Sequence, residues 1–190
     1  MEIKKISTSD ALALCGKAES HFFDKKSKDV GGTKLQKAVV AFANADGGEL
    51  LIGIADDKES LISKERWQGF ESIEKMNYIL QVLFDITPSL SVKQEVLECK
   101  GFDGFVLRLL IERGSQVYHC SDRSVYVRKG AQSLPLPPDR IAELSYAKGV
   151  ISFENERIPD CPPELVVESE ELMSFLLGSR LEQRVFSDQF

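Results

Sequence analysis

The stretch AFANADGGELLIGIADD, residues 41–57, contains the strongest fold signal in the chain. Asn44-Ala-Asp-Gly-Gly48 ends a helical pattern and turns the chain. Glu49–Ala55 then forms a nearly continuous apolar run of strand length, which is typical of a central strand covered on both faces. The run ends at two carboxylates, Asp56 and Asp57, so acidic side chains are predicted at the rim of a sheet.

Helical and strand patterns alternate on both sides of this run. The spacing of Leu35, Ala38, Val39 and Phe42 predicts a helix from Lys34 to about Ala43, capped by Thr33. The other predicted elements are a helix from Ser7 to Gly16, a strand-like segment at Glu19–Asp24, a helix at 70–85, strands at 91–100, 102–111 and 124–130, and a helix opening at Pro138 or Asp139. This pattern predicts an α+β fold with a mixed, mainly antiparallel sheet flanked by helices.

Charge and composition divide the 190 residues at about position 150. The net charge is −6, and residues 152–190 account for all of it with nine acidic and three basic side chains. We therefore predict one domain at 1–150, followed by an acidic linker and helix at 151–190, which is the possible start of a further region. The first part holds 21 acidic and 21 basic residues, and a neutral body of this kind can still present a basic face.

Neither a membrane span nor a secreted disulfide framework is indicated. No apolar stretch approaches about 18 residues, and the N-terminal residues MEIKKISTSD lack a hydrophobic signal core. The four cysteines form no C-x-x-C pair, which predicts reduced thiols in a soluble, cytoplasmic protein without membrane contact. His119 and Cys120 could give two ligands of a metal site, against the alternative of a packed thiol beside a surface imidazole.

Three carboxylates and a lysine are the candidate catalytic group: Glu19, Asp24, Asp56 and Lys26. If the acids converge, their repulsion calls for a hard divalent cation, Mg²⁺ or Mn²⁺, that could activate water against a phosphodiester while Lys26 stabilises charge on phosphate. An ideal strand puts Glu19 and Asp24 on opposite faces, so convergence needs a bend or bulge. The alternative is that these are surface carboxylates paired with nearby lysines.

Basic residues near the same segments suggest nucleic-acid binding. The candidates are Lys25, Lys28, Lys34, Lys37, Arg123, Arg128 and Lys129, with Tyr126 and His119 as stacking side chains. The chain has no G-x-x-x-x-G-K-[ST] phosphate loop and no G-x-S-x-G elbow, so P-loop chemistry and serine nucleophile chemistry are not indicated.

Three segments together resemble the Schlafen-type AlbA-like domain over about residues 10–148. They are ESHFFDKK (Glu19–Lys26), AFANADGGELLIGIADD (Ala41–Asp57) and SVYVRKGAQSLPLPPDRIAEL (Ser124–Leu144). In nuclease members of that family the acidic positions correspond to Glu19, Asp24 and Asp56, and the motif lysine corresponds to Lys26. The resemblance implies a divalent-metal-dependent endoribonuclease acting on structured RNA such as tRNA, with DNA as a further partner and antiviral defence as a setting.

The chain departs from the family pattern at two positions. Asp24 stands where those members have a glutamate, and Lys25 stands where they have an aromatic residue. Two other interpretations therefore stay open, a non-catalytic DNA- or RNA-binding module of a larger regulator or defence effector and a partner-docking assembly domain. The vertebrate members pair two such lobes, so a homodimer or larger oligomer is expected for a single lobe.

Overall fold

The computed structural model describes residues 2–56, 60, 62–150, 169–170 and 172–174. The chain divides into two units, Met1–Ile151 and Ser152–Phe190. In the second unit, residues 170 and 172–174 have helical backbone, whereas the predicted acidic linker at 151–168 lies outside the described residues, as does Asp57. Within the described ranges, no helix has both the length and the apolar character needed to cross a membrane.

Strands and helices alternate through the first unit. The strands are β1 (Glu2–Ile6), β2 (Phe23–Lys26), β3 (Gly48–Ile52), β4 (Val92–Cys99), β5 (Val106–Ile111), β6 (Tyr126–Lys129) and β7 (Gln132–Pro135). The α-helices are α1 (Thr8–Gly16), α2 (Gly32–Asn44), α3 (Asn77–Phe84) and α4 (Pro138–Ala147), and short 3₁₀ helices lie at Ser63–Arg66 and Ile73–Met76.

The sheet is mixed, as predicted for an α+β fold. Its strand order is β1-β4-β5-β3-β2, and β6 and β7 form a separate hairpin. The β1–β4 and β2–β3 pairs are parallel, whereas the β3–β5, β4–β5 and β6–β7 pairs are antiparallel. The edge strand β2 is therefore parallel to β3, so the carboxyl ends of the two strands lie at the same rim of the sheet.

Both faces of β3 are covered, which confirms the prediction from its apolar run. Leu50 and Ile52 pack in the larger core cluster with Phe42 of α2. Leu51 points to the opposite face and packs in a second cluster with Cys15 of α1. All five side chains are fully buried, so removing a methyl group from either layer would leave a cavity.

Several predicted boundaries differ from the observed ones. The strand expected at Glu19–Asp24 runs instead over Phe23–Lys26, because its parallel register pairs Phe23 with Glu49 and Lys26 with Ile52. Helix α2 begins at Gly32, with Gly31 rather than Thr33 as its N-cap. The predicted helix at 70–85 starts as a 3₁₀ helix and becomes α-helical only at Asn77.

Two strands were not predicted at all. β1 is exposed at four of its five positions and has no alternating apolar pattern, so only its parallel pairing with β4 defines it. β7 follows β6 after a two-residue turn and completes a hairpin. By contrast, the Ser7 N-cap of α1 is confirmed, since Ser7 and Asp10 form a reciprocal capping box.

The turn between α2 and β3 requires glycine at position 47. Its φ of +77° lies in the left-handed region, and a Cβ there would be 2.6 Å from the carbonyl oxygen of Ile111 and 2.9 Å from the amide nitrogen of Arg113. A side chain would therefore add a backbone clash to the conformational cost of positive φ. The glycine positions β3 against β5 at the start of their pairing.

We predict that Gly47→Ala lowers the free energy of unfolding by roughly 3 kcal/mol. Urea denaturation followed by fluorescence of the single tryptophan, Trp67, measures this change. Gly130→Ala is the matched control, because Gly130 also has positive φ (+56°) but no heavy atom within 4 Å of the added Cβ. The control should cost only about 1 kcal/mol, and equal losses in the two variants would contradict the predicted clash.

Candidate functional site

A buried ion pair joins the β6–β7 hairpin to the main sheet. Asp24 of β2 and Arg128 of β6 are 2% and 3% exposed, and Arg128 Nη1 lies 2.9 Å from Asp24 Oδ2. Arg128 Nη2 also donates to the carbonyl oxygens of Ser20 (3.0 Å) and Phe23 (3.3 Å). The guanidinium lies 4.7 Å from the ring centroid of Phe42, so both its edge and its face are occupied.

The second oxygen of Asp24 is also fully used. Asp24 Oδ1 accepts hydrogen bonds from Lys26 Nζ at 2.6 Å and from the Lys25 amide at 2.8 Å. Burial alone would favour the protonated carboxyl, but hydrogen bonds from Glu19 and Lys26 and the charge of Arg128 hold the pKa of Asp24 below its usual range. Asp24 is therefore an ionised carboxylate whose oxygens face protein donors.

Glu19 lies just before β2, and its protonated carboxyl donates a hydrogen bond to Asp24. Partial burial, the hydrogen bond to Asp24, and the negative charges of Asp24 and Asp56 raise the pKa of Glu19 to about 7, with Lys26 opposing the shift. Lys26 Nζ is 3.7 Å from Glu19 Oε1. Glu19 is thus partly protonated near neutral pH while Asp24 stays ionised, which is the expected result when two carboxyls approach each other.

Asp56 completes the acidic group from the other strand. It follows β3, is exposed, and lies close enough to Glu19 for its charge to raise the pKa of that residue. Asp56 has no hydrogen-bond or ion-pair partner among the residues that the structure describes. The three predicted acids and Lys26 therefore meet at one site, with Glu19 and Asp24 in direct contact.

The acids do not form a closed metal cage. Across the described part of the chain, no group of three or more His, Cys, Asp or Glu side chains is arranged to hold a metal ion. Asp24 is saturated by protein donors, which leaves Asp56, and Glu19 once it has lost its proton, as the carboxylates that a cation could reach. Such a pair fits Mg²⁺ or Mn²⁺, because these small hard cations commonly bind one or two carboxylates and take their other ligands from water and phosphate.

A basic groove begins at the same site. One cavity of about 390 Å³ is lined by Lys26, Lys34 and Asp56, and a neighbouring one of about 240 Å³ is lined by Lys26, Lys34 and Lys37. The two cavities share Lys26 and Lys34, so they are adjacent parts of one surface, which we call the basic groove. Gly31 and Lys34, at the N-terminus of the 13-residue helix α2, line the first cavity, and Gly31 gives this helix no side-chain cap.

The other predicted basic residues have different environments. Lys25 is 2% exposed and its Nζ donates to the carbonyl oxygen of Cys15 at 3.0 Å, and Arg128 is bound to Asp24. The prediction that Lys25 and Arg128 contact a nucleic-acid backbone is therefore wrong, because neither charged group is accessible. Lys129 is exposed in the β6–β7 hairpin. Lys28 lies beside the groove, and its side chain forms no ion pair with any described residue.

Arg123 and the His119-Cys120 pair lie at a separate cavity of about 630 Å³. Arg123 has a positive φ of 64°, which is uncommon for a residue other than glycine. Cys120 packs in the core, where burial raises the pKa of its thiol, and His119 is partly exposed. This arrangement agrees with the alternative of a packed thiol beside a surface imidazole.

Sequence reasoning missed the structural role of Asn44. Its Nδ2 donates to the carbonyl oxygens of Tyr118 (2.8 Å) and Tyr126 (3.0 Å), and its Oδ1 accepts from the Tyr118 amide (2.8 Å). The buried amide thus ties α2 to β6, which carries Arg128. Its position directly before the turn was the available signal, although its partners are more than 70 residues away.

Comparisons with known proteins agree with this architecture. The family described as "Schlafen, AlbA_2" matches residues 17–137, which is well over half of the chain. The crystal structure of the DIP2311 protein from Corynebacterium diphtheriae is similar with a TM-score of 0.50 and 19% sequence identity, over 74% of this chain and 27% of that one. This chain therefore spans only about a quarter of the length of that structure.

A second similar structure is the solution NMR structure of the N-terminal domain of an ATP-dependent DNA helicase RecG-related protein from Nitrosomonas europaea. It has a TM-score of 0.41 and 22% identity, over 57% of this chain and 74% of that one. A search of curated proteins returned no match.

We predict that the titration of Glu19 makes the free energy of unfolding fall as pH rises through neutrality. The pKa of Glu19 is raised from 4.5 to about 7, so the folded state holds a proton that the unfolded state releases between these values. This stabilisation is complete below about pH 4.5 and disappears as pH approaches 7 and above. Glu19→Gln should remove a pH-dependent contribution of about 2 kcal/mol.

Urea denaturation at intervals between pH 4.5 and 8 measures this effect. The control is Glu112→Gln, which removes an exposed carboxylate on the strand-end loop after β5. We expect the pH slope of the control to match that of the unmodified protein. A Glu19→Gln variant with the same slope as the unmodified protein would exclude the raised pKa of Glu19.

Proposed function

The chain belongs to the Schlafen AlbA_2 family, and we propose that its basic groove binds the sugar–phosphate backbone of nucleic acid. The observation that carries this proposal is the row of Lys26, Lys34 and Lys37 along two adjacent cavities at the uncapped start of α2. Ammonium groups and free backbone amides are the groups that bind phosphate without reading sequence.

The groove has a local positive charge although the chain is acidic overall. Asp24 is neutralised by Arg128 and Lys26, and a pKa of about 7 leaves Glu19 partly protonated near neutral pH. Lys34 is exposed and has no ion-pair partner among the described residues. Lys37 lies 5.1 Å from the ring centroid of Tyr126, which places an aromatic face beside an ammonium group, as in many nucleic-acid sites.

We predict that Lys34→Ala/Lys37→Ala lowers affinity for a labelled 20-nucleotide RNA by about tenfold or more in 100 mM salt. Loss of two phosphate contacts should also reduce the slope of log K against log salt by about 1.4, at about 0.7 per phosphate of a single strand. Fluorescence anisotropy over a series of salt concentrations measures both quantities.

The control is Lys100→Ala, because Lys100 lies at an exposed turn and lines neither groove cavity. Its affinity and salt slope should equal those of the unmodified protein. If the unmodified protein binds neither RNA nor DNA at low salt, the proposal is wrong and the assembly-domain alternative is favoured.

We further propose that the acidic site cleaves the bound strand in the presence of Mg²⁺ or Mn²⁺, with structured RNA such as tRNA as substrate. Glu19 and Asp56 would hold the cation, which supplies a Lewis acid and an activated water when bound. Lys26 adjoins both Glu19 and Asp24 and can neutralise charge on the scissile phosphate. Asp24 positions Lys26 through their 2.6 Å contact.

We predict that Asp56→Asn reduces Mn²⁺-dependent cleavage of tRNA by at least about 100-fold, because an amide is a poor ligand for a hard cation. Affinity for tRNA measured in EDTA should change less than twofold, and Trp67 fluorescence should report an intact fold. Gel analysis of labelled tRNA gives the rates. Asp85→Asn, an exposed carboxylate outside the site, is the control.

Two outcomes would decide between the interpretations. Equal cleavage by Asp56→Asn and the unmodified protein would exclude the assigned metal ligand. Binding that persists in EDTA, together with no cleavage in either metal, would select the non-catalytic nucleic-acid-binding module.

A further inference from the structure

The basic groove continues into a side pocket that no sequence motif predicted. This pocket has a volume of about 240 Å³ and is lined by Lys28, Asp29, Phe70, Glu71, Lys75 and Tyr78. Asp29 also lines the groove cavity that contains Lys26, Lys34 and Asp56. The side pocket therefore adjoins, at Asp29, the groove cavity that Asp56 also lines.

The walls of the side pocket are held in place by hydrogen bonds between two of its own lining residues and by hydrogen bonds to residues outside it. Tyr78 Oη donates to the carbonyl oxygen of Lys28 at 3.0 Å, and Gln68 Oε1 accepts from the Lys28 amide at 3.4 Å. Phe70 exchanges two backbone hydrogen bonds with Phe105, at 2.7 and 2.8 Å. A ligand would enter a preformed site, which limits the conformational entropy lost on binding.

The chemistry of the side pocket differs from that of the groove. Two carboxylates, Asp29 and Glu71, balance the two ammonium groups of Lys28 and Lys75, so the pocket has no excess charge to attract phosphate. Tyr78 is partly exposed and supplies aromatic surface, whereas Phe70 is 5% exposed and packs in the core. Aromatic surface together with acceptor carboxylates suits a planar group that carries amino donors.

We infer that the side pocket binds one unpaired nucleobase with an exocyclic amino group, from a strand whose phosphates lie in the basic groove. Cytosine, adenine and guanine carry such a group, and carboxylates accept hydrogen bonds from it, whereas uracil presents a carbonyl oxygen at the same position as the cytosine amine. This inference rests on the proposed nucleic-acid binding. It makes the partner a single-stranded or locally unpaired nucleic acid, because a paired base has its amino group engaged and its faces stacked.

Homopolymers of cytidine and uridine give the sharpest test, because the two bases have the same ring size and differ mainly at this group. We expect the unmodified protein to bind a 20-nucleotide oligo(rC) about tenfold more tightly than oligo(rU). Asp29→Asn/Glu71→Gln should reduce this ratio to within about twofold. The ratio is the informative quantity, since removing two negative charges strengthens binding to both polyanions.

The control is Lys34→Ala/Lys37→Ala, which should weaken binding to both oligonucleotides by the same factor and leave the ratio unchanged. Asp29 and Glu71 are exposed, so the double variant should fold, and the urea midpoint checks this. Equal affinity of the unmodified protein for the two strands, or a preference that persists in the double variant, would overturn the base pocket alone. Failure to bind either strand would overturn the proposed function and this inference with it.

Discussion

The buried contact between Asp24 and Arg128 determines how the rest of the site is arranged. Removing two charges from water is costly, and their attraction compensates only where the remaining donors and acceptors are also satisfied. Here Lys26 and the Lys25 amide satisfy Asp24, while the Ser20 and Phe23 carbonyls satisfy Arg128. The pair holds the hairpin against β2, and a change to either partner would leave an unpaired buried charge, typically at a cost of about 3–5 kcal/mol.

The same carboxylate links the scaffold to the candidate chemistry. Asp24 orients Lys26 at 2.6 Å and accepts a hydrogen bond from protonated Glu19, which helps to raise the pKa of Glu19. Because Asp24 is saturated, the other two acids are the ones a cation could reach, Asp56 directly and Glu19 after it loses its proton, and both flank the neighbouring parallel strands β2 and β3. A shorter aspartate in place of the family glutamate therefore suits an anchoring role at this position.

The sequence predicted the elements of this site better than their contacts. The apolar run at residues 49–55 identified the central strand because consecutive buried positions need cover on both faces. The convergence of Glu19 and Asp24 conflicted with strand alternation, and the conflict disappears because β2 starts only at Phe23, which leaves Glu19 on the preceding loop. Lys25 and Arg128 were predicted to be surface cations. Their partners are a helix carbonyl and a carboxylate 104 residues away, and neither partner produces a pattern in the neighbouring sequence.

The net charge of the chain did not indicate the basic groove, because distant charges contribute little to the potential there. Charges farther apart than about 8 Å are largely screened at physiological ionic strength, so a phosphate in the groove responds mainly to the side chains around it. The lysines among those side chains are Lys26, Lys34 and Lys37; Asp29 and Asp56 oppose them, while Asp24 is paired with Arg128. The site is thus locally cationic within an acidic chain, and the buried Asp24–Arg128 pair helps to make it so by preventing Asp24 from opposing the lysines with an unpaired charge.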